Sequence, residues 1–323
     1  MVLPKSIVSY SLYALVPICR PRRQPKHRQS TSIEPARGSY CRLFGSKGLV
    51  FLFPWLTGAV SLEAQGSPPQ QNATTAIQDN SFLVEEAYNQ EQSVVQHIGT
   101  FSRAVGSRDW VHTFTQEWPV RGQRHQVSYT IPLAHKAGQG SARTGIGDVA
   151  VNYRYQMRGI DGGPAFAPRV SVVLPTGASR YGFGTGGTTV QVNLPFSATL
   201  PAPLVAHSNA GMSFTPRARD TADAVAAIRE YSLGQSLIWL VHPRLNLMLE
   251  ATWTRAQNVT GPGRTARSSE ILVAPGIRGA IDFASGLQIV PGLALPIGVG
   301  PSRGERSVFA YLSFEHPFAK RGP

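Results

Sequence analysis

Nucleophilic hydrolysis needs a nucleophile such as serine, a histidine that takes its proton, and an acid or amide that orients the histidine. Seven of the eight histidines are available for that role: His97, His112, His125, His135, His207, His242 and His316. None lies in a recognisable nucleophile motif, since G-x-S-x-G is absent. In His207-Ser208-Asn209 the neighbouring side chains of a strand point to opposite faces. The sequence therefore favours a protein that is not an enzyme, with a lipid hydrolase as the weaker alternative.

Metal and phosphate sites receive no support from residue spacing either. No group of His, Cys and Asp has the spacing of a metal-ligand set. The Gly-rich run GFGTGG (182–187) lacks the Lys-Ser/Thr ending of a phosphate-binding loop, so it predicts a flexible connection. We therefore predict no cofactor and no bound metal.

Charged residues of both signs recur within otherwise alternating segments, and they are the main functional candidates. The set comprises Glu117, Asp148, Arg154, Arg169, Glu250, Arg278 and Asp282. If these side chains line a pore, they set a transverse field or select solutes. If the enclosed space is narrow, they instead pair into a salt-bridged plug that holds it shut. The choice depends on the elements that carry them.

Those elements alternate in polarity along most of the chain. GDVAVNYRYQM (147–157) places Val151 and Tyr153 on one side and Asn152 and Arg154 on the other. A period of two indicates strands, because successive side chains point to opposite faces of a sheet. The pattern predicts about twelve strands, with approximate spans 94–104, 110–119, 124–136, 145–158, 165–176, 188–200, 203–216, 226–241, 245–258, 269–284, 287–298 and 307–318.

The connections between these strands alternate in size. Tight turns alternate with long links that are mostly basic or Gly-rich: 136–144, 176–187, 215–224, 257–269 and 299–306. An up-and-down barrel, with turns at one end and loops at the other, predicts this alternation, whereas a Greek-key sandwich does not. The runs also fit the ~9–11 residues of a membrane-spanning strand better than the ~5–6 of a globular strand. The sequence thus predicts an all-β fold, a transmembrane up-and-down antiparallel β-barrel of about 12 strands.

A sheet in lipid must close on itself, because hydrocarbon cannot satisfy a free backbone N–H or C=O. Its apolar side chains then face lipid and its polar ones face the lumen, which places the seven charged candidates inside. The last run, SVFAYLSFEHPF (307–318), resembles the C-terminal signature that the barrel-assembly machinery reads, followed here by a five-residue tail. The first two predicted strands and the eighth show the weakest alternation, and DTADAVAAIRE (220–230) has a short helix in a loop as its alternative.

The first 64 residues differ in composition from the rest. They hold nine of the 31 Lys and Arg, two of the 18 Asp and Glu, and both cysteines. Within them, RLFGSKGLVFLFPWLTGAVSLEAQG (42–66) has the positive flank, short apolar core and small residues near a cleavage site that define a secretory signal. A buried hydrophobic helix is the alternative. The basic run at 20–28 favours an extended leader or a start codon assigned too early over a nucleic-acid arm.

These features divide the chain into three parts. Residues 1–64 are the predicted N-terminal extension and signal peptide, 65–93 a periplasmic lead or plug segment, and 94–318 the barrel. Within the second part, SFLVEEAYNQ (81–90) carries Glu85 and Glu86. It either tucks into the barrel as a plug or remains a disordered lead.

Three phrases together resemble a known family. They are DNSFLVEEAYNQEQSVVQHIGTF (79–101), GIGDVAVNYRYQM (145–157) and APRVSVVLPTG (167–177). They resemble the bacterial outer-membrane barrels, described as transporters, that are assigned to the meta-pathway of phenol degradation, over about residues 79–318. The resemblance implies an outer-membrane barrel that takes up aromatic or other small hydrophobic compounds, and it carries over no binding residues.

The function predicted from these observations is passive passage of small hydrophobic molecules across a bacterial outer membrane. The expected partners are membrane lipid, lipopolysaccharide and the solute, with no nucleic acid. The alternative is a closed structural barrel whose basic loops contact lipopolysaccharide phosphates through Arg264, Arg267, Arg303 and Arg306. A lipid-modifying enzyme is the third reading.

Overall fold

The computed structural model describes residues 81–137, 141–201 and 203–318, and alternating side chains form antiparallel strands over most of them. The predicted signal peptide and residues 65–80 lie outside the described residues. The strands are β1 (Val94–Ala104), β2 (Trp110–Val120), β3 (His125–Ala137), β4 (Ala142–Ile146), β5 (Val149–Tyr155), β6 (Ala165–Phe166), β7 (Arg169–Leu174), β8 (Thr189–Asn193), β9 (Phe196–Thr199), β10 (Leu204–Arg219), β11 (Val225–His242), β12 (Leu245–Gly261), β13 (Arg264–Gly279), β14 (Ile281–Asp282), β15 (Gln288–Ala294), β16 (Ile297–Gly298) and β17 (Ser307–Pro317). Short 3₁₀ turns occur at Ser179–Tyr181 and Gly300–Ser302.

Five of the barrel strands are interrupted and consist of two segments each: β4 with β5, β6 with β7, β8 with β9, β13 with β14, and β15 with β16. Three of the interruptions fall at Pro168, Pro195 and Pro296. Proline lacks the N–H that a strand donates to its neighbour, so pairing stops there. The seventeen segments therefore form twelve barrel strands.

The sheet closes into a ring. Each barrel strand pairs antiparallel with its neighbour in sequence, and β1 pairs with both β2 and β17. The seam between first and last strands is continuous, from Val94 opposite Pro317 to Ala104 opposite Ser307. The predicted fold class, a twelve-stranded up-and-down barrel, is confirmed. β1 begins and β17 ends at one rim, which we call the turn rim. The opposite rim, which we call the long-link rim, carries the loop 175–188 and the link 299–306, whereas the link 156–164 lies at the turn rim.

Two of the predicted long links are wrong. Residues 257–269 are mostly strand, since β12 runs to Gly261 and β13 starts at Arg264. Residues 215–224 shorten to a turn between Arg219 and Val225, and the helix considered for 220–230 does not form. These residues are polar because they extend past the apolar belt, yet neighbouring strands still satisfy each other's backbone groups there. Polarity marked the end of the apolar belt and not the end of the strands.

The outer face of the barrel carries an apolar belt. Large hydrophobic side chains are exposed at alternate positions around the ring: Val151, Tyr153, Met157, Val170, Val190, Leu233, Leu247, Leu249, Ile277, Leu293, Val308 and Leu312. A contiguous exposed apolar surface of this extent marks contact with lipid or another apolar phase. In the part of the chain that the structure describes, no helix is long and apolar enough to cross a membrane.

Candidate transport lumen

Residues Ser81–Gln90, which we call the inner segment, lie inside the barrel, and all of them except Tyr88 are buried. Their contacts follow the ring in order. The backbone N–H of Gln90 donates to Gln126 on β3, that of Ala87 to Ser197 on β9, and that of Glu85 to Asn209 on β10. Buried backbone donors need partners. The wall provides them from side chains, so the inner segment is held without adding a strand to the sheet.

Glu250 on β12 makes the most concentrated of these contacts. Its carboxylate accepts the backbone N–H groups of Phe82, Leu83 and Val84 at 3.1–3.2 Å, and the side chain is fully buried. Hydrogen bonds to a charged acceptor are roughly twice as strong as neutral ones. Glu250 thus fixes the first turn of the inner segment against the wall. Arg278 lies within electrostatic reach of the same carboxylate.

Two arginines hold the other half of the inner segment. Arg154 donates from Nε to Asn89 Oδ1 at 2.8 Å and from Nη2 to the carbonyl of Tyr88 at 2.7 Å. Arg169 forms an ion pair with Glu85 at 2.6 Å. Both arginines were predicted to line the lumen, and both direct their donors at the inner segment.

The remaining predicted charges have different surroundings. Glu117 is buried 3.8 Å from the Arg154 guanidinium and accepts a bond from Gln126. Arg278 is buried, and Glu86 is buried within the inner segment. Asp282 is the exception: it is half-exposed at the turn rim, 3.7 Å from Arg244, and its prediction as a lumen residue is wrong. Asp282 belongs to β14, which is too short and too near the rim to place a side chain in the interior.

One sector of the interior is apolar, which the alternation did not predict. The buried side chains of this sector are Ile98, Ile238, Met248, Ala274, Val290, Ala294, Phe309 and Tyr311, and they pack with Phe82 and Leu83. They lie on β1, β11 to β13, β15 and β17. The sequence signal for this sector was a strand with apolar residues on both of its faces. In β17, for example, Phe309 and Tyr311 alternate with lipid-facing residues.

Phe82 fills a recess in that sector, which we call the aromatic pocket: Gly276, Gly292, Phe309 and Tyr311. Its ring centroid is 5.7 Å from that of Phe309 and 5.5 Å from that of Tyr311, in tilted geometry. A Cβ at Gly276 would be 2.7 Å from the Phe82 ring, and one at Gly292 would be 2.5 Å from it. Real Cβ atoms do not approach so closely. The two glycines therefore make room for an aromatic ring.

The space left beside the inner segment is small. A cavity of about 70 Å³ lies between Leu83 and the inward hydroxyl and amide groups of β8 and β10 to β12, with Arg169 and Glu230 at its edge. A second, of about 20 Å³, lies among Glu117, Arg154 and Arg169. Pockets that hold small organic ligands are of ~300–1,000 Å³. With the inner segment in place, these cavities are suited to water and not to such a ligand.

The loop 175–188 is anchored at the long-link rim. Asp148 accepts bonds from the N–H of Gly177 at 2.9 Å and from the N–H and hydroxyl of Thr185 at 2.7 and 3.0 Å. Phe183 is buried, and the Lys136 ammonium lies 5.7 Å from its ring centroid. The prediction of a flexible connection at 182–187 is wrong, because a buried carboxylate satisfies backbone donors of this loop. Asp148 is thus a loop anchor, away from the other charges.

Comparison with solved structures identifies the fold. A channel of the outer membrane of Pseudomonas putida F1 matches with a TM-score of 0.55 and 12% sequence identity, over 71% of this chain and 97% of that one. The NanC porin matches with a TM-score of 0.45 and 10% identity, over 68% and 98%, and the KdgM porin with 0.41 and 9%, over 69% and 99%.

The fold is that of an outer-membrane β-barrel. The bacterial outer membrane is the location that this fold and the apolar belt support. No protein-family model and no curated protein matches the sequence. The resemblance to the phenol-degradation family therefore stays a prediction.

Proposed function

We propose that this chain is a passive outer-membrane channel for small molecules, which the inner segment closes in the present structure. The observation that carries the proposal is how the interior is filled. Around the inner segment the wall presents glycines and small polar residues, among them Gly234, Gly276 and Gly292. Val84 lies 3.0 Å from a Cβ position at Gly234. The interior is thus shaped to hold a peptide that is not part of the barrel wall. When that peptide leaves, the lumen opens.

A purely structural barrel offers a poorer account of this interior. Such a barrel fills its lumen with the wall's own side chains, since a ring of this size leaves limited room. Here ten consecutive residues occupy that room, held by hydrogen bonds and ion pairs to the wall. None of these contacts is covalent, so the inner segment is the element that exchanges between closed and open states.

The finer proposal concerns the solute, which we take to be small and hydrophobic or aromatic. Departure of Phe82 would expose the aromatic pocket and the apolar sector to the lumen. A flat apolar solute fits that recess by the same ring contacts that Phe82 makes. The family resemblance implies the same class. Solute then passes through the lumen or leaves sideways between strands, without covalent chemistry.

Planar-bilayer conductance tests the channel. Two proteins are compared: one comprises residues 81–323, and the other comprises residues 91–323 and so lacks the inner segment. We expect few openings for the first and sustained ion steps for the second, because removing the inner segment joins the two cavities. A deletion variant that folds, shown by its heat-dependent migration, but passes no ions would contradict the proposal.

Binding of p-cresol by the detergent-solubilised protein tests the solute class. Phe82→Ala vacates the aromatic pocket and is expected to bind p-cresol at least about tenfold more tightly than the parent. Phe196→Ala is the control, because Phe196 is 43% exposed on the lipid face. Equal affinity for all three proteins would leave the channel standing and remove the aromatic solute.

A structural barrel that contacts lipopolysaccharide is the second candidate. The observation favouring it is that Arg264, Arg267, Arg303 and Arg306 are all exposed at the rim with the longer links. Replacing all four by serine should then abolish lipopolysaccharide binding, measured by co-sedimentation. A silent 81–90 deletion together with that loss would favour this candidate over the channel.

A further inference from the structure

Three arginines lie on the outer wall of the barrel, between the apolar belt and the long-link rim. They are Arg229 on β11, Arg255 on β12 and Arg267 on β13, which we call the arginine cluster, and all three are exposed. Glu230 and Ala256, which follow the first two in sequence, are buried inside the barrel. Because successive side chains of a strand point to opposite faces, the arginines point outward.

Strand pairing brings the arginine cluster together around one amide side chain, that of Gln257. Gln257 follows Arg255 by two residues on β12 and is directly opposite Arg267 on β13. Its Oε1 atom accepts the backbone N–H of Arg229 at 3.0 Å. Cβ atoms of directly opposite residues are ~4.5–5.5 Å apart, and residues two apart on one strand are separated by ~6.6 Å. The three long side chains can therefore reach a single anion above Gln257.

No carboxylate neutralises the arginine cluster within the part of the chain that the structure describes. Its members are absent from the ion pairs there, which join Arg154, Arg169, Arg219 and Arg244 to acids. The Arg229 guanidinium instead lies 5.5 Å from the ring centroid of Phe214. Like charges on neighbouring strands repel one another, and an anion held between them removes that repulsion. The cluster is therefore suited to an anionic partner.

The surface directly below the arginine cluster is apolar. Leu233, Trp253 and Ile271 are opposite one another on β11, β12 and β13, and they form the last apolar row of the belt in this sector. Two residues further toward the long-link rim, Arg255 lies opposite Tyr231. Aromatic residues mark the depth at which hydrocarbon gives way to lipid head groups. The wall thus changes from apolar to basic at the depth of lipid phosphates.

We propose that the arginine cluster and the Gln257 amide bind a phosphate of a lipid whose acyl chains lie against the apolar belt. A guanidinium donates two parallel N–H bonds to phosphate, and the amide adds a further donor. Longer links of outer-membrane barrels face the cell exterior, so the occupant is the lipid A anchor of lipopolysaccharide. This wall site shares only Arg267 with the rim contact considered above. It does not depend on the opening of the channel.

Native mass spectrometry of the full-length protein in dodecyl maltoside tests the site. The probes are diphosphoryl lipid A and the same lipid with both phosphates removed. We expect the parent to bind the first diphosphoryl lipid at least about tenfold more tightly than the dephosphorylated one. The double variant Arg229→Gln/Arg255→Gln should lose at least about tenfold in affinity for the diphosphoryl lipid, because it loses charge-assisted bonds.

The matched control is Arg303→Gln/Arg306→Gln, which removes two exposed positive charges from the link 299–306 at the same rim. It should bind diphosphoryl lipid A within about twofold of the parent. Equal weakening in the two double variants overturns the site in favour of a general attraction between a basic barrel and an anionic lipid. Weakening in the control alone overturns it in favour of the rim contact.

Inorganic phosphate separates a lipid site from a site for free anions. Added at the same concentration as the lipid, it should leave the complex intact, because it makes no contact with the apolar belt. Displacement of the lipid under that condition overturns the proposal, as does a parent that binds both lipids equally or neither. Heat-dependent migration of each variant shows that the barrel has folded. None of these results depends on conductance, so failure here leaves the proposed channel untouched.

Discussion

At the scale of one residue, the Glu250 carboxylate shows how a charged group is accommodated inside the barrel. It satisfies three backbone N–H groups of the inner segment, and it is fully buried. A charged group at such a depth is stable only when hydrogen bonds surround it. Glu250 and the first turn of the inner segment thus depend on each other. Loss of either leaves the other unsatisfied.

Glu250→Gln should loosen the inner segment. Glutamine keeps one acceptor oxygen and turns an NH₂ donor toward backbone N–H groups, which removes roughly 1.5–3 kcal/mol of charge-assisted bonding. We expect channel openings to become about tenfold or more frequent in planar bilayers. Asp282→Asn, at the half-exposed rim position, is the control and should match the parent. Unchanged opening in Glu250→Gln would show that this carboxylate does not hold the closed state.

Gly292→Ala should displace Phe82 from the aromatic pocket. The new Cβ would lie 2.5 Å from the Phe82 ring, while its next neighbour, the Arg278 Cβ, is at 3.4 Å. Overpacking of this kind costs about 1–3 kcal/mol. We therefore expect more frequent openings in bilayers. In the double variant with Phe82→Ala the overlap is absent. Its frequency of openings should therefore be close to that of Phe82→Ala alone. Additive effects of the two changes would contradict the contact.

At the scale of elements, breaks and anchors shape the barrel as much as alternation does. Prolines interrupt three barrel strands, and the loop 175–188 is held by Asp148 instead of moving freely. Each break leaves backbone groups that other residues must satisfy. At the break between β4 and β5, Thr176 accepts the Val149 N–H and donates to the Gly147 carbonyl. The loop and the broken strand therefore stabilise each other.

Asp148→Ala should release this loop. The change removes acceptors for the N–H groups of Gly177 and Thr185, at a cost of roughly 1–3 kcal/mol. We expect trypsin to cut after the exposed Arg180 at least about fivefold faster, with the rest of the barrel intact. The control is Asp161→Asn, an exposed turn residue at the opposite rim. An unchanged cleavage rate at Arg180 would show that the loop is held elsewhere.

Strand positions followed from the sequence far better than link lengths did. The predicted span 94–104 is that of β1, and 245–258 lies within β12. The alternation reflects a difference between lipid and lumen that acts on every residue of a strand. It fades beyond the apolar belt, where both faces meet water. The hairpin Gly261–Arg264 therefore looked like a loop from its sequence alone.

At the scale of the whole molecule, closure is what makes the apolar belt compatible with a membrane. The seam between β1 and β17 satisfies the two edges that an open sheet would expose. An interior with one polar and one apolar sector then results from bending the sheet into a ring. Residues far apart in sequence, such as Ile98 and Ile238, come to share one cluster there.

Leu312→Pro should prevent stable closure. Leu312 lies in the middle of β17, opposite Gly99 on β1 and Pro291 on β15. Proline would remove the backbone N–H at this position of a strand that is paired on both sides. In sheets, proline is normally confined to edge strands and bulges. We expect loss of the fast-migrating folded band on unheated gels. Leu312→Ala keeps the N–H at this lipid-facing position and should retain the band. A folded band for the proline variant would contradict the seam.

The sequence by itself determined that strands of membrane-spanning length alternate and join in order, because the contrast between lipid and lumen is repeated in every strand. It also marked Glu85, Glu117, Arg154 and Glu250 as candidate charges of the lumen. Only the tertiary structure decided that ten residues before β1 fill the lumen and that Phe82 needs glycines on β13 and β15. These contacts join positions up to more than two hundred residues apart, as Phe82 and Phe309 show. Their formation depends on the curvature of the closed ring, which no local pattern encodes.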